Sequence, residues 1–159
     1  MPCLRFTEFD NHWSITTLGE IGEVKMCKRI LKEQTFDFGE VPFYKIGTFG
    51  GKADAFISFA LFNEFISRYP YPKKGDILLS AAGTIGKKVV FNDKPSYFQD
   101  SNIVWISNDE EKVLNVFLSF LYDRITWRTE NTTIPRLYNN IIREKKIIIP
   151  SINEQQKIA

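Results

Sequence analysis

Short runs in which apolar residues alternate with polar or small ones recur along most of the chain, and strands buried on one face have this pattern. Strands are predicted over 18–24, 41–46, 55–59, 76–80, 87–91, 97–106 and 145–149. The 14 phenylalanines and the many isoleucines and valines also favour a β-rich or mixed core, because aromatic and β-branched side chains fit pleated sheets.

Three segments have helical spacing instead. Residues 60–68 place their apolar side chains on one helical face, and the Pro70 and Pro72 region then ends the helix. The apolar stripe 113–121 predicts a second helix, with Asn108 as its N-cap and acidic residues in its first turn.

The third helix is predicted at the C-terminus. Ser151 and Glu154 have the S-x-x-E spacing of a capping box, directly after Pro150. Only five residues follow Glu154, and a helix that short is marginal by itself. We therefore divide the chain into a domain over 1–150 and the truncated start of a longer helix over 151–159.

Composition narrows the function classes. A chain of 159 residues fits one domain, and its two cysteines form neither a disulfide framework nor a metal-ligand pattern. The N-terminus lacks an apolar signal region and no apolar run is long enough to span a bilayer, so we expect a cytoplasmic protein without membrane contact. The single histidine, His12, has no obvious nucleophile beside it, and nucleotide-binding and hydrolase motifs are missing. We expect no catalytic residue, no metal site and no cofactor of its own.

Positive charge is concentrated in two stretches, although the net charge is only +2. Residues 73–94 carry five lysines and two aspartates, a net of +3, and residues 124–146 carry six basic and two acidic residues, a net of +4. Such segregation favours a surface that faces a polyanion, although solvated loops explain the charge equally well.

The run 73–88 is the most distinctive segment, because an apolar strand leads into a turn of small residues with Gly83 and Gly86, between paired lysines. With it, the chain resembles a target recognition domain of the type I restriction–modification specificity subunit. The matching segments occur in the family's order and are 4–6 with Trp13, 18–21, 41–47, 74–80 with 83–86, 99–103, and Pro150 with Glu154, Gln155 and Ile158.

The resemblance implies an α/β (α+β) fold, with a twisted, mostly antiparallel β-sheet, a few packed helices and the start of a long spacer helix at the C-terminus. It implies binding to double-stranded DNA and the reading of one half of a bipartite site. Methyltransferase (modification) subunits that methylate adenine at N6 and a restriction subunit that cuts DNA would be the partners. S-adenosylmethionine, ATP and Mg would belong to those partners. A complete specificity subunit resembles two such domains, so the second would come from the same chain or from dimerisation through the spacer helix.

Candidate DNA contacts fall into two groups, since phosphate contacts position a protein and base contacts specify the sequence. For the phosphates we assign Lys73, Lys74, Lys87 and Lys88, with Ser80 and Thr84 as further donors; solvated strand ends and local hydrogen bonds are the alternatives. For base reading we assign a polar loop with Arg128, Asn131, Thr132, Thr133 and Arg136, and a glycine turn with Lys45, Thr48 and Lys52. Gln99 and Asn102 are further candidates, with a buried hydrogen-bonding role slightly favoured for both.

Two other functions stay open on the sequence alone. One is a non-catalytic protein-interaction module whose basic loops bind an acidic partner. The other is a small Mg-dependent nuclease whose site has no recognisable motif.

Overall fold

The computed structural model describes residues 5–127 and 136–159. In chain order the strands and helices are β1 (Ser14–Thr17), α1 (Leu18–Ile21), β2 (Gly22–Lys25), a 3-10 turn (Lys32–Gln34), β3 (Val41–Tyr44), β4 (Ala55–Ile57), α2 (Phe59–Arg68), β5 (Ile77–Ser80), β6 (Lys88–Val90), β7 (Tyr97–Phe98), β8 (Ile103–Asn108), α3 (Asn115–Arg124), α4 (Asn139–Glu144), β9 (Lys146–Ile149) and α5 (Ile152–Ile158). No helix in these two ranges is both long enough and apolar enough to cross a membrane.

The strands of the described residues form three sheets. The largest has the order β2-β8-β5-β6 and is antiparallel throughout. A second sheet has the order β4-β3-β7, in which β3 and β7 run parallel, and β1 pairs with β9 in the third. The predicted mixed fold, with mostly antiparallel strands and a few helices, is confirmed, but the strands are divided among three sheets.

The four-stranded sheet lies between two hydrophobic cores. Leu79 and Val104, paired across β5 and β8, face the core that includes α1 and α3. Leu78 and Trp105, the next pair along the same strands, face the core built on α2 and the three-stranded sheet. Because both faces of β5 are covered, all four of its side chains are buried, Ser80 included.

The predictions for 97–106, 18–24 and Asn108 were wrong. Residues 97–106 are not one strand, because β7 and β8 are separate strands that belong to different sheets. Residues 18–24 are not one strand, because residues 18–21 form α1 and β2 begins only at Gly22. The Glu20 carboxylate accepts hydrogen bonds from the Thr17 backbone amide and the Thr16 hydroxyl and so closes the turn of α1. Asn108 does not cap α3 but ends β8 opposite Gly22. Its buried amide donates to the carbonyl of Val113 and so braces the segment that leads to α3.

The predicted C-terminal helix is confirmed as α5, and the Ser151 hydroxyl accepts from the Glu154 amide as in a cap. The Glu154 side chain does not complete the capping box, because it binds Arg5 and Trp13 instead. Gln155 is fully buried beside it and bonds backbone groups of Leu114, Lys112 and Pro150. The first turn of α5 is therefore built into the domain.

Candidate nucleic-acid interface

Several connecting segments meet where β3, β5 and β7 end and β8 begins. The backbone N–H of Gln99 donates to the Tyr44 carbonyl, and the side-chain oxygen of Gln99 accepts from the Ile46 backbone N–H, both at 2.9 Å. Ala81 donates to the Asn102 carbonyl and accepts from the Leu137 amide, both at 2.8 Å. We call residues 45–52, 81–87, 99–102 and Arg136 the loop cluster, since these bonds hold them at one end of the molecule.

The segment 81–87 is a tight loop closed by Ser80. The Ser80 hydroxyl donates to the Thr84 carbonyl and accepts from the Lys87 amide, the latter at 2.8 Å. Gly86 has φ +83°, and a Cβ added to it would come within 2.8 Å of Cδ1 of Trp127. Because Ser80 is 1% exposed and bonded within the loop, it does not fit the predicted phosphate contact. Thr84 is exposed on the same loop.

The four candidate phosphate-binding lysines do not share one surface. Lys73 and Lys74 precede β5 and are exposed at its start, whereas Lys87 and Lys88 follow the loop at its other end. The Lys88 amine lies against α3, where it donates to the Ser119 carbonyl and the Asp123 carboxylate, each at 2.7 Å. The Lys88 amine is thus bonded to α3, and a contact between Lys88 and a DNA phosphate stays a prediction.

Lys87 points to the other side and joins the glycine turn of the loop cluster. A Cβ added to Gly50, which has φ +80°, would lie 2.8 Å from Cε of Lys87, so the lysine side chain lies directly against this turn. Lys52 is exposed next to this turn, and the Lys45 amine pairs with Asp54 at 3.0 Å on the surface. The structure thus places Lys87 against the turn that carries Lys45 and Lys52, whereas the sequence analysis placed these lysines in separate groups.

Thr48 and Gln99 have structural bonds within the cluster. The Thr48 hydroxyl accepts from the Lys45 amide at 3.0 Å and donates to the Lys45 carbonyl at 3.2 Å, which closes the turn. Gln99 joins this turn to β7 through Ile46, as its predicted alternative role anticipated. Base contacts by Thr48 or Gln99 stay predictions.

Arg136 and Asn102 form a pair at the edge of the cluster. Nη1 of Arg136 donates to Oδ1 of Asn102, and Nη2 donates to the Ser101 carbonyl, both at 3.0 Å. Ser101 has φ +61°, an uncommon conformation for a residue other than glycine. The sequence analysis gave no role to Ser101, and nothing in its local pattern pointed to one. The other four residues of the predicted reading loop, Arg128, Asn131, Thr132 and Thr133, lie outside the described residues.

Three groups with raised pKa values are not members of the loop cluster. Burial raises the pKa of the Cys27 thiol to about 12 and that of Tyr71 to about 12. Burial also raises the pKa of Asp76, opposed by a hydrogen bond from the Lys73 amide. In the part of the chain that the structure describes, no three His, Cys, Asp or Glu side chains gather closely enough to hold a metal ion.

Comparison with known sequences identifies one family and a similar curated protein. The model of the "Type I restriction modification DNA specificity domain" matches residues 11–159. A Haemophilus influenzae Rd protein, provisionally named the type I restriction enzyme specificity subunit S.HindORF215P, is 54% identical over 156 residues. The match covers 98% of this chain but 40% of that relative, so the chain spans about two fifths of the relative's length.

Solved structures of similar fold come from the same kind of system. A chain from a structure on complex assembly and conformational transition of the type I R-M system matches with a TM-score of 0.70 and 15% identity, covering 94% of this chain and 37% of that one. The S subunit from M. genitalium gives a TM-score of 0.67 and 20% identity over 96% and 39% of the two chains. The HsdS subunit from Thermoanaerobacter tengcongensis gives 0.64 and 14% over 99% and 37%. These likenesses establish the fold.

Proposed function

The chain belongs to the type I restriction modification DNA specificity domain family, and from this we propose that it binds double-stranded DNA and reads one half of a bipartite site. The observation that carries the proposal is the loop cluster. Three separate connections and Arg136 converge at one end of a rigid double core and present polar and basic groups there. Recognition surfaces are commonly loops held by a rigid scaffold.

The cluster offers both kinds of group that sequence-specific DNA binding needs. Lys52 and Lys87 are cations suited to phosphates, and Thr84 is an exposed hydroxyl in the same cluster. Asn102 supplies the amide chemistry that distinguishes base edges, and Arg136 is bonded to it. This division of labour supports DNA as the ligand over an acidic protein surface.

We also propose that the chain is non-catalytic and works with methyltransferase subunits and a restriction subunit. Adenine-N6 methylation and cleavage, with S-adenosylmethionine, ATP and Mg, would then belong to those partners. In this proposal α5 is the start of the spacer helix, and its buried first turn fixes the direction in which that helix leaves the domain. A second recognition domain would read the other half-site.

The test is a binding selection from randomised duplex DNA, carried out at several salt concentrations with the 159-residue chain alone and with its modification partner. Enrichment of a short conserved half-site in either condition is expected. A folded chain that enriches no sequence in both conditions would overturn the proposal. Capture of the modification partner without enrichment would then favour an interaction module, and Mg-dependent cleavage of the DNA would favour a nuclease.

A further inference from the structure

Arg136 fixes which way the side-chain amide of Asn102 faces. A guanidinium carries only hydrogen-bond donors, so the group that meets Nη1 of Arg136 at 3.0 Å has to be the carbonyl oxygen of Asn102. The Nδ2 group of Asn102, with its two N–H donors, therefore faces away from Arg136. Within the described residues, this Nδ2 group has no hydrogen-bond partner. Asn102 itself is half-buried in the loop cluster.

Both residues of the pair are held from behind by backbone bonds. The backbone N–H of Asn102 donates to the Asp100 carbonyl at 2.6 Å, and the backbone carbonyl of Asn102 accepts from the Ala81 N–H at 2.8 Å. Arg136 pairs with Ala82 in an isolated β-bridge and holds the carbonyl of the left-handed Ser101. Uncommon backbone conformations of this kind concentrate at functional sites, where the surroundings stabilise them.

We propose that Asn102 reads a base edge of the half-site as a hydrogen-bond donor and that Arg136 is its positioning residue. This inference rests on the proposed DNA-binding function and deepens it. Asparagine recognises adenine through both its oxygen and its nitrogen, but the oxygen of Asn102 faces Arg136 and already accepts one of its N–H groups, so the group turned outward is the donor Nδ2. The complement of this outward donor is a base edge that presents acceptors, and in the major groove guanine presents two, O6 and N7.

The experiment repeats the DNA selection with Asn102→Asp and Arg136→Lys. In the Asn102→Asp variant the new carboxylate would keep one oxygen on Arg136 and turn the other, an acceptor, towards the base, so guanine should be replaced by cytosine at one position. Arg136→Lys keeps the charge but loses the two-pronged geometry, so preference at that same position should relax on the order of tenfold. Asn139→Asp, an exposed asparagine in α4, serves as the matched control and should leave every position unchanged.

The readout separates base reading from a merely structural role, because a loss of stability would weaken binding without changing the preferred base. Thermal unfolding shows whether each variant is folded. Asn102→Asp tests the inference even if Arg136→Lys does not fold. If both variants are folded and select the same half-site as the wild-type chain, the inference is overturned while DNA recognition stays intact. If the wild-type chain enriches no sequence, the proposed function fails first.

Discussion

Glu154 and Arg5 are 149 residues apart in sequence, yet the carboxylate accepts hydrogen bonds from Nε and Nη2 of the guanidinium at 2.7 and 2.6 Å. The indole of Trp13 donates to the same carboxylate at 3.2 Å. The side chain of Glu154 is only 1% exposed, so this pair joins the first turn of α5 to the N-terminal segment with the carboxylate shielded from solvent.

The Arg5–Glu154 pair predicts a particular response to acid. The hydrogen bonds from Arg5 hold the pKa of Glu154 below its ordinary value of 4.5. The contribution of the ionised Glu154 carboxylate to the free energy of unfolding is therefore complete above about pH 4.5 and is lost as the pH falls through the lowered pKa. Glu154→Gln should be less stable at pH 7 and lose less stability in acid, as measured by urea unfolding across this range. The exposed control Glu23→Gln should follow the wild-type curve.

Gln155 offers a second test of how α5 is attached. Its side chain accepts from the Leu114 amide and donates to the carbonyls of Lys112 and Pro150. Gln155→Ala leaves these groups unpaired in a buried site and should lower the free energy of unfolding by about 3 kcal/mol. Gln156→Ala, its exposed neighbour, should change it by less than about 0.5 kcal/mol. Equal losses for both variants would contradict the inferred bonding.

Two glycines of the tight loop should respond differently to alanine. Both Gly83 and Gly86 have positive φ, but a Cβ on Gly83 would have its nearest contact at 3.6 Å, with Ile46. Gly83→Ala should therefore cost about 1–2 kcal/mol, because alanine is strained in the left-handed conformation. Gly86→Ala adds a collision with Trp127 at 2.8 Å and should cost more. Chemical unfolding measures both, and a Gly86 variant as stable as the Gly83 variant would show that the indole moves aside.

Asn108 is predicted to stabilise the turn after β8 rather than the start of a helix. Its buried amide donates to the Val113 carbonyl at 2.7 Å and to Asn115 at 3.0 Å. Asn108→Ala should reduce the free energy of unfolding by about 2–3 kcal/mol because these acceptors lose their partner. The exposed control Asn63→Ala in α2 should have a small effect. Helical content by circular dichroism should be unchanged, which a loss of a helix cap would not predict.

Neighbouring lysines give a test of the DNA surface. Lys87 lies in the loop cluster, whereas Lys88 is bound to Ser119 and Asp123. If the proposed function holds, Lys87→Ala should reduce the slope of log K against log salt by about 1, and Lys88→Ala should leave the slope unchanged. Lys88→Ala should instead lower the thermal midpoint. A reduced slope for Lys88 alone would place DNA on the α3 side.

Periodicity predicted part of the fold, because β3, β4, β9 and α2 each bury one face against a single core. It was less informative for β5, where burial on both faces hides the alternation and made Ser80 look available. Asn108 was misread because asparagine favours helix caps and turns through the same side-chain hydrogen bonds. The partner of Lys88 lies 35 residues away in α3, and no local pattern carries that information.

The candidate site was predictable as a set of loops but not as an arrangement. Glycines and lysines marked 45–52 and 81–87, yet their proximity depends on the parallel pairing of β3 with β7 and on the β5–β8 pairing. The orientation of the Asn102 amide depends on Arg136, 34 residues later. These are long-range relationships that a single sequence does not encode in its local spacing.

The position of β5 between two cores couples the unfolding of one core to that of the other. Leu78 and Leu79 are adjacent in sequence but belong to opposite cores, so neither core can open without uncovering the same strand. Amide protons of β5 and β8 should consequently exchange with solvent only when the whole domain unfolds. The loops at the end of this strand are thus supported by a single cooperative unit.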